Sequence, residues 1–226
     1  MAGATTTTMA SARTRERLLE AAGEVFAERG FQAATVREIC RRAGANVAAV
    51  NYHFGDKESL HAAALRHAHG CAVARFPHDG GVSAGDPPEA RLRAFVRAFL
   101  FRILEKGRPN WHGKLMAREM AEPTRALDAL VRDSVRPQFA ALSGIVRELL
   151  PAGASDEAVR LSAFSVVGQC LHYHHSREVL ARLGSAPAAD AAAIERLAGH
   201  VTAFSLGGIA SASGSRRAPR RKGGET

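Results

Sequence analysis

With 226 residues and a net charge of +9, the chain can bury a substantial core in one large or two small domains. It is rich in Ala, Leu, Arg and Glu and poor in aromatics and β-branched runs, which points to an all-α protein. The charge is spread thinly, with 8 basic and 7 acidic side chains over residues 1–60 and 5 against 1 over residues 212–226, so bulk charge singles out no nucleic-acid domain.

The opening MAGATTTTMASA lacks the apolar stretch of a signal peptide, and residues 1–11 read as a disordered leader. From Thr14 to Arg29, Leu18, Ala22, Val25 and Phe26 form one apolar stripe while Arg13, Arg15, Arg17 and Arg29 stay outside. Gly30 ends this helix, and Phe31 is free to plug a three-helix core. Thr35 and Glu38 suit a capping box, and Val36, Ile39, Cys40 and Ala43 recur at helical spacing. Gly44 stands where such a helix must stop. Asn46 can cap a further helix running to about His53. Helix, glycine turn, helix is the geometry that lays its second helix into a major groove.

Asp56 can cap a fourth helix with Leu60 and Ala64 on its inner face. Residues 76–88 hold too much Gly and Pro for regular structure. A broad apolar stripe from Leu92 to Leu104 predicts a core helix. Helices at about 111–121 and after Pro123 follow, with Pro137 expected to kink the second or start a new segment. Phe139 to Leu150 continues that stripe. Two last helices, at about 156–182 and 188–208, carry many small residues. Beyond Ser211 the basic, low-complexity SASGSRRAPRRKGGET should be disordered. No apolar run approaches the roughly 20 residues that cross a bilayer, so no membrane partner is expected. Three scattered cysteines, Cys40, Cys71 and Cys170, fit neither a zinc pattern nor a disulfide framework, and a reducing cytoplasmic home follows.

The run from Ala21 to Leu60, AAGEVFAERGFQAATVREICRRAGANVAAVNYHFGDKESL, resembles the N-terminal domain of TetR-type transcriptional regulators almost end to end. Phe26, Gly30 and Phe31, Thr35, Gly44, the Tyr52-His53-Phe54 ending and the Lys57-Glu58-Ser59-Leu60 start carry the likeness. Arg118-Glu119 before Pro123, Arg136-Pro137, and the run Val167 to Leu171 resemble the CerR/CecR-like branch. The resemblance implies a helix-turn-helix DNA-binding head at residues 12–72 (motif 35–54) and a helical effector-binding and dimerisation body at 73–211. The tail 212–226 lies outside both. It also implies a homodimeric repressor that leaves double-stranded operator DNA when a small-molecule effector binds, with no cofactor and no enzymatic activity.

Ala45, Val50 and Phe54 suit the buried side of the recognition helix. Asn46, Val47, Ala48, Asn51, Tyr52 and His53 are left to face the groove. Asn51 can pair with adenine, and Val47 and Ala48 can pack on thymine methyls. Ala48 and Asn51 depart from the commoner family pattern of Gly and Tyr, so no operator sequence carries over. Tyr52 and His53 resemble the family's backbone-contacting pair. Thr35 can serve as both cap and phosphate ligand, Arg37 suits a bidentate guanine contact, and Lys57 joins its ammonium to a helix N-terminus for a phosphate. Phe99, Trp111, Met116, Met120 and Tyr173 are candidate effector-pocket residues. Ala163, Val167, Gly168, Leu171, Ala198, Thr202 and Leu206 are candidates for a dimer seam. Arg216, Arg217, Arg220, Arg221 and Lys222 could add sequence-blind attraction to DNA. Two other classes compete: a non-specific architectural DNA-binding protein without effector, and a metal-dependent enzyme using His172, His174 and His175.

Overall fold

The computed structural model describes residues 2–105, 111–184 and 190–214, and every regular element among them is helical. The order is α1 (Ala2–Ala33), α2 (Val36–Ala43), α3 (Val47–Phe54), α4 (Lys57–Arg75), α5 (Pro88–Leu104), α6 (His112–Ala121) and α7 (Arg125–Leu130). A π-helical turn, Val131–Val135, leads into α8 (Arg136–Leu149), followed by α9 (Asp156–His175), α10 (Arg177–Arg182) and α11 (Ala191–Gly214).

Two compact units share the chain, and each is interrupted in sequence: Met1–Arg75 with Lys106–Pro137, and Phe76–Glu105 with Gln138–Thr226. The continuous head expected at 12–72 therefore gains α6 and α7, the segment expected in the body. Packing explains it: Trp111, Leu115 and Ala126 join Leu18, Val25, Phe26, Ile39, Val50 and Leu60 in one buried cluster. Around this core α1 packs on α2, α4 and α6, and α4 packs on α7. The indole of Trp111 lies so close to Gly23 of α1 that a Cβ built there would stand 2.3 Å from a ring carbon. Its Nε1 donates to Glu20 at 3.2 Å.

Helix α1 begins at Ala2, where a disordered leader was expected. The stretch contains no proline, and a helix already held by tertiary packing propagates without a new nucleation cost. Pro137 acts as anticipated but one turn upstream. The Arg136 amide bonds to the Val131 carbonyl, the five-residue spacing of a π-turn. Widening the helix there gives the proline ring room against the carbonyl four residues before it.

The second unit packs α5 against α9 and α11 over Leu92, Val96, Leu100, Val159, Ala163, Val166, Ile194 and Val201, with Leu142 and Val146 from α8. The helix expected at 156–182 breaks at Ser176 into α9 and α10, and the last helix runs on to Gly214. The tail cations from Arg216 to Lys222 lie outside the described residues.

This core corrects the expected seam. Ala163, Ala198 and Thr202 are buried inside their own unit, and Val167, Leu171 and Leu206 pack partly against the same cluster. Gly168 alone of that set stands exposed, with nothing near its would-be Cβ. The outward faces are a fraction of a turn away, with Leu161 and Phe164 on α9 and Phe204 on α11 all more than half exposed. Ala-rich helices have apolar atoms on several faces, and small residues lie on both sides of these two: Ala163 and Ala198 are buried while Gly168, Ala203 and Gly207 are exposed.

Candidate nucleic-acid interface

Each end of α2 and α3 is fixed by a local hydrogen bond that the sequence spells out. Thr35 Oγ1 accepts from the Glu38 amide at 3.2 Å. The reciprocal half of the capping box is replaced, because the Glu38 carboxylate turns to Arg29 at 2.9 Å. At the other end of α2, Ala45 N bonds to Cys40 O at 2.9 Å and Gly44 N to Arg41 O at 3.4 Å. This double closure needs a left-handed residue between its bonds, and Gly44 supplies it with φ 60° and ψ 40°. Asn46, in extended backbone, then starts α3 by accepting from the Ala49 amide at 2.8 Å.

Those caps orient α3. Val50 is fully buried, with Ala45, Ala49 and Phe54 packed partly beside it. On the opposite side Asn46, Val47, Ala48, Asn51 and Tyr52 are exposed, Tyr52 by 80%. His53 is half-buried, its ring 4.9 Å from Tyr52 and 6.1 Å from Phe54, so it is less available than its neighbours. The exposed set combines an amide able to bridge an adenine edge, two small apolar contacts for thymine methyls, and a phenol for backbone phosphate. Asn46 has committed its carbonyl oxygen to the cap, and its side-chain N–H donors stand on the exposed side.

The flanking cations divide by whether they already have partners. Arg42 is spent: it forks onto Glu28 at 3.0 and 2.9 Å, and this bond holds the Glu28 carboxyl below its ordinary value. Arg37 is exposed and has no partner among the described residues. Lys57 sets its ammonium 3.3 Å from the Gln32 carbonyl and 4.6 Å over the Phe31 ring. The α4 N-terminus expected to assist it is occupied. Asp56 accepts from the Ser59 amide at 2.7 Å, a bond that lowers the carboxyl's pKa. A phosphate would therefore meet the Lys57 ammonium and a nearby carboxylate, not a free helix end. A groove along α1 carries Arg13 and Arg17 but also Glu16, Glu20 and Glu24, and its mixed sign makes it no phosphate track.

Sequence reasoning missed what braces this surface. Arg118 of α6 donates to the carbonyls of Ala27 and Glu28 at 2.9 and 3.0 Å, acceptors of the turn just before Gly30, whose φ of 76° breaks α1 as the sequence led one to expect. Next to it, buried Glu119 accepts from Thr124 N and Oγ1, both at 2.9 Å, and lies 3.7 Å from Nε2 of buried His61 on α4. The findable signal was a charged residue four positions after Leu115, on the core-facing side of a short helix. His61 also packs edge-on against Phe26 at 4.6 Å. Burial first, and the Lys57 charge second, push its pKa down to about 4. The unfolded imidazole takes its proton near 6.5, so stability from neutral His61 is full above that pH and is lost as pH falls toward 4. Between pH 8 and pH 5 the expected loss is about 2 kcal/mol. It should be absent from His61→Phe, which keeps the ring packing; equal pH slopes in urea denaturation of the two proteins would refute the assignment.

The expected effector residues are divided between the two units. Trp111 and Met116 belong to the first core, Phe99 and Tyr173 pack on the second, and Met120 is 46% exposed. The histidine cluster is likewise dispersed among polar partners: His172 Nδ1 lies 3.2 Å from Ser176 Oγ, and His174 Nδ1 lies 2.8 Å from the Ile103 carbonyl. Among the described residues, no three or more His, Cys, Asp or Glu side chains are placed to hold a metal ion. No helix there is long and apolar enough to cross a membrane.

Comparison with known proteins finds a family match to the N-terminal helices and another that runs from α5 into α11, across both units. Residues 18–64 fit the family "Bacterial regulatory proteins, tetR family", and residues 88–209 fit the C-terminal domain of the HTH-type transcriptional dual regulator CecR. CecR of Shigella flexneri is 27% identical over 186 residues, 78% of this chain and 83% of that protein. The HTH-type transcriptional repressor NicS of Pseudomonas putida is 27% identical over 193 residues, covering 79% and 84%. The crystal structure of AibR with isovaleryl coenzyme A and operator DNA shares the fold, with a TM-score of 0.55 at 19% identity, covering 72% of this chain and 86% of that one.

Proposed function

The chain belongs to the TetR family of bacterial transcriptional regulators, in the branch with a CecR-type C-terminal domain, and from that premise we propose a homodimeric repressor released from its operator by a small-molecule effector. The observation that carries the reading is the polarity of α3: Val50 is sealed into the core while Asn46, Val47, Ala48, Asn51 and Tyr52 stand exposed on one short, doubly capped helix. Such a helix is suited to direct readout in the major groove. A second copy covering Leu161, Phe164 and Phe204 would present two reading helices to half-sites about one DNA turn apart, ~34–36 Å. Effector control is supported by the relatives: NicS is a repressor by name, and AibR was captured with both operator DNA and an acyl-coenzyme A. The effector would act by binding the released state better than the DNA-competent one.

The decisive experiment selects bound sequences from a random DNA library and asks for a two-fold repeat. On the selected site, Lys57→Ala should weaken operator and random DNA alike, lowering the salt slope by about 0.9 for each lost phosphate contact. Arg37→Ala should instead relax preference at one base pair of each half-site, at about 1–3 kcal/mol. A uniform loss in both variants would remove the division into positioning and reading residues, and a selection without enrichment would remove sequence-specific binding itself.

A further inference from the structure

The arginines of the first unit differ in what already holds them. Arg42 is forked onto Glu28, and Arg29 meets Glu38 at 2.9 Å. Arg13 and Arg17 line the groove along α1 together with Glu16, Glu20 and Glu24. Arg15 escapes that groove, because two residues along a helix turn a side chain through about 200°. It is exposed, and its guanidinium lies 5.4 Å from the centroid of the Phe54 ring, over the last residue of α3. That guanidinium makes no ion pair or hydrogen bond among the described residues. Tyr52, His53 and Phe54 follow one another ring to ring at 4.9 and 6.1 Å, so Arg15 completes a row that begins at the exposed phenol of Tyr52.

A guanidinium resting on a ring engages the ring through its own face, and the N–H donors at its edge stay free. Lys57 rests over Phe31 in a similar way, yet has given a donor to the Gln32 carbonyl. The mount of Arg15 is rigid: α1 begins more than three turns before it, and Leu18, Leu19 and Ala22 just beyond it are buried. Ring and helix together leave the fork little freedom to lose on meeting an anion. Position names that anion. A recognition helix reads base edges with its N-terminal residues, which leaves the C-terminal end, where Phe54 and Arg15 stand, beside the sugar-phosphate backbone. We propose that Arg15 is a DNA-positioning residue, forking onto a backbone phosphate that flanks the end of α3 and so fixing the register of the reading head. The inference rests on the reading of α3 as the groove-facing helix. It extends the interface to α1, outside the helix-turn-helix, and adds a phosphate contact to that of Lys57.

The test titrates the full chain with the selected operator and with random duplex DNA over a range of salt concentrations. Arg15→Gln should lower the salt slope by about 0.9 and weaken both duplexes about five-fold at 0.15 M salt, with melting temperature and helix content as in the wild type. Arg15→Lys keeps the charge and should keep the slope. Arg13→Gln, in the groove of mixed sign, should leave the slope as it was. Methylphosphonates placed one at a time along the operator then find the partner. One neutralised phosphate should weaken wild-type binding several-fold and leave Arg15→Gln unaffected, and it should not be the phosphate whose effect vanishes in Lys57→Ala. Should Arg15→Gln not fold, Arg15→Met, which keeps an alkyl stem on the Phe54 ring, carries the test. An unchanged slope in the neutral variant, an equal fall in Arg13→Gln, or phosphates that matter equally to wild type and variant would each overturn the proposal. A chain that binds no duplex overturns the reading of α3 and this contact with it. A slope that falls in Lys57→Ala but not in Arg15→Gln overturns the contact alone.

Discussion

Gly23→Ala should destabilise the protein, although glycine-to-alanine in a helix interior ordinarily gains about 1 kcal/mol. The new Cβ would fall 2.3–2.4 Å from three carbons of the Trp111 ring. That ring has little freedom to retreat, being buried with its N–H on Glu20. Forcing an added methyl into such packing costs about 1–3 kcal/mol or more, enough to reverse the helix-propensity gain. Trp111→Ala alone should cost about 3–5 kcal/mol by emptying the space the indole fills. With the indole gone, Gly23→Ala should turn from harmful to favourable by up to about 1 kcal/mol. The change of sign across a double-mutant cycle in urea denaturation reads the contact directly. A stabilising Gly23→Ala in the otherwise wild-type chain would mean that indole and glycine do not meet in solution.

Phe204→Glu, and separately Phe164→Glu, should leave the fold intact and abolish self-association. Both side chains are more than half exposed in the single chain, so an isolated protomer tolerates the charge at little cost. In a two-fold interface the same substitution occurs twice and buries two like charges. Light scattering should then report monomers. Because two linked reading heads gain about 10²–10⁴ in avidity over one, operator affinity should drop by about 100-fold or more while the melting curve stays close to wild type. Phe164 also stacks on Phe139 at 4.6 Å, which makes Phe204 the cleaner site. Dimers that persist with both charges in place would move the interface elsewhere.

What the sequence disclosed well was local. Thr35, Gly44, Asn46 and Asp56 act through bonds to amides or carbonyls a few residues away, so their spacing alone carries the information. The burial of Val50 followed from the period of a short helix. Longer-range partners were hidden. Glu38 had a capping role by position, yet Arg29 at 2.9 Å outbids the Thr35 amide. The pattern around Leu115 announces a helix with one buried face, but nothing in periodicity names α1 as the surface that covers it. The seam was misphased for a related reason: α9 and α11 carry small or apolar residues on more than one side, and only the identity of their neighbours decides which side stays outside.

The interruption of both units sets a rule for exchanging parts between relatives. Joining one protein's reader to another's sensor at the end of α4, the obvious splice point, would leave Gly23, the Ala27 carbonyl and His61 facing a foreign segment in place of Trp111, Arg118 and Glu119. A working chimera must therefore take two pieces from the same parent, residues up to Arg75 and the later stretch through Pro137, with residues 76–105 from the other parent threaded between them. Natural recombination faces the same constraint. A single crossover near residue 75 separates residues that must meet, so the transferable module of this protein is longer than the stretch that reads DNA, and it is not a contiguous one.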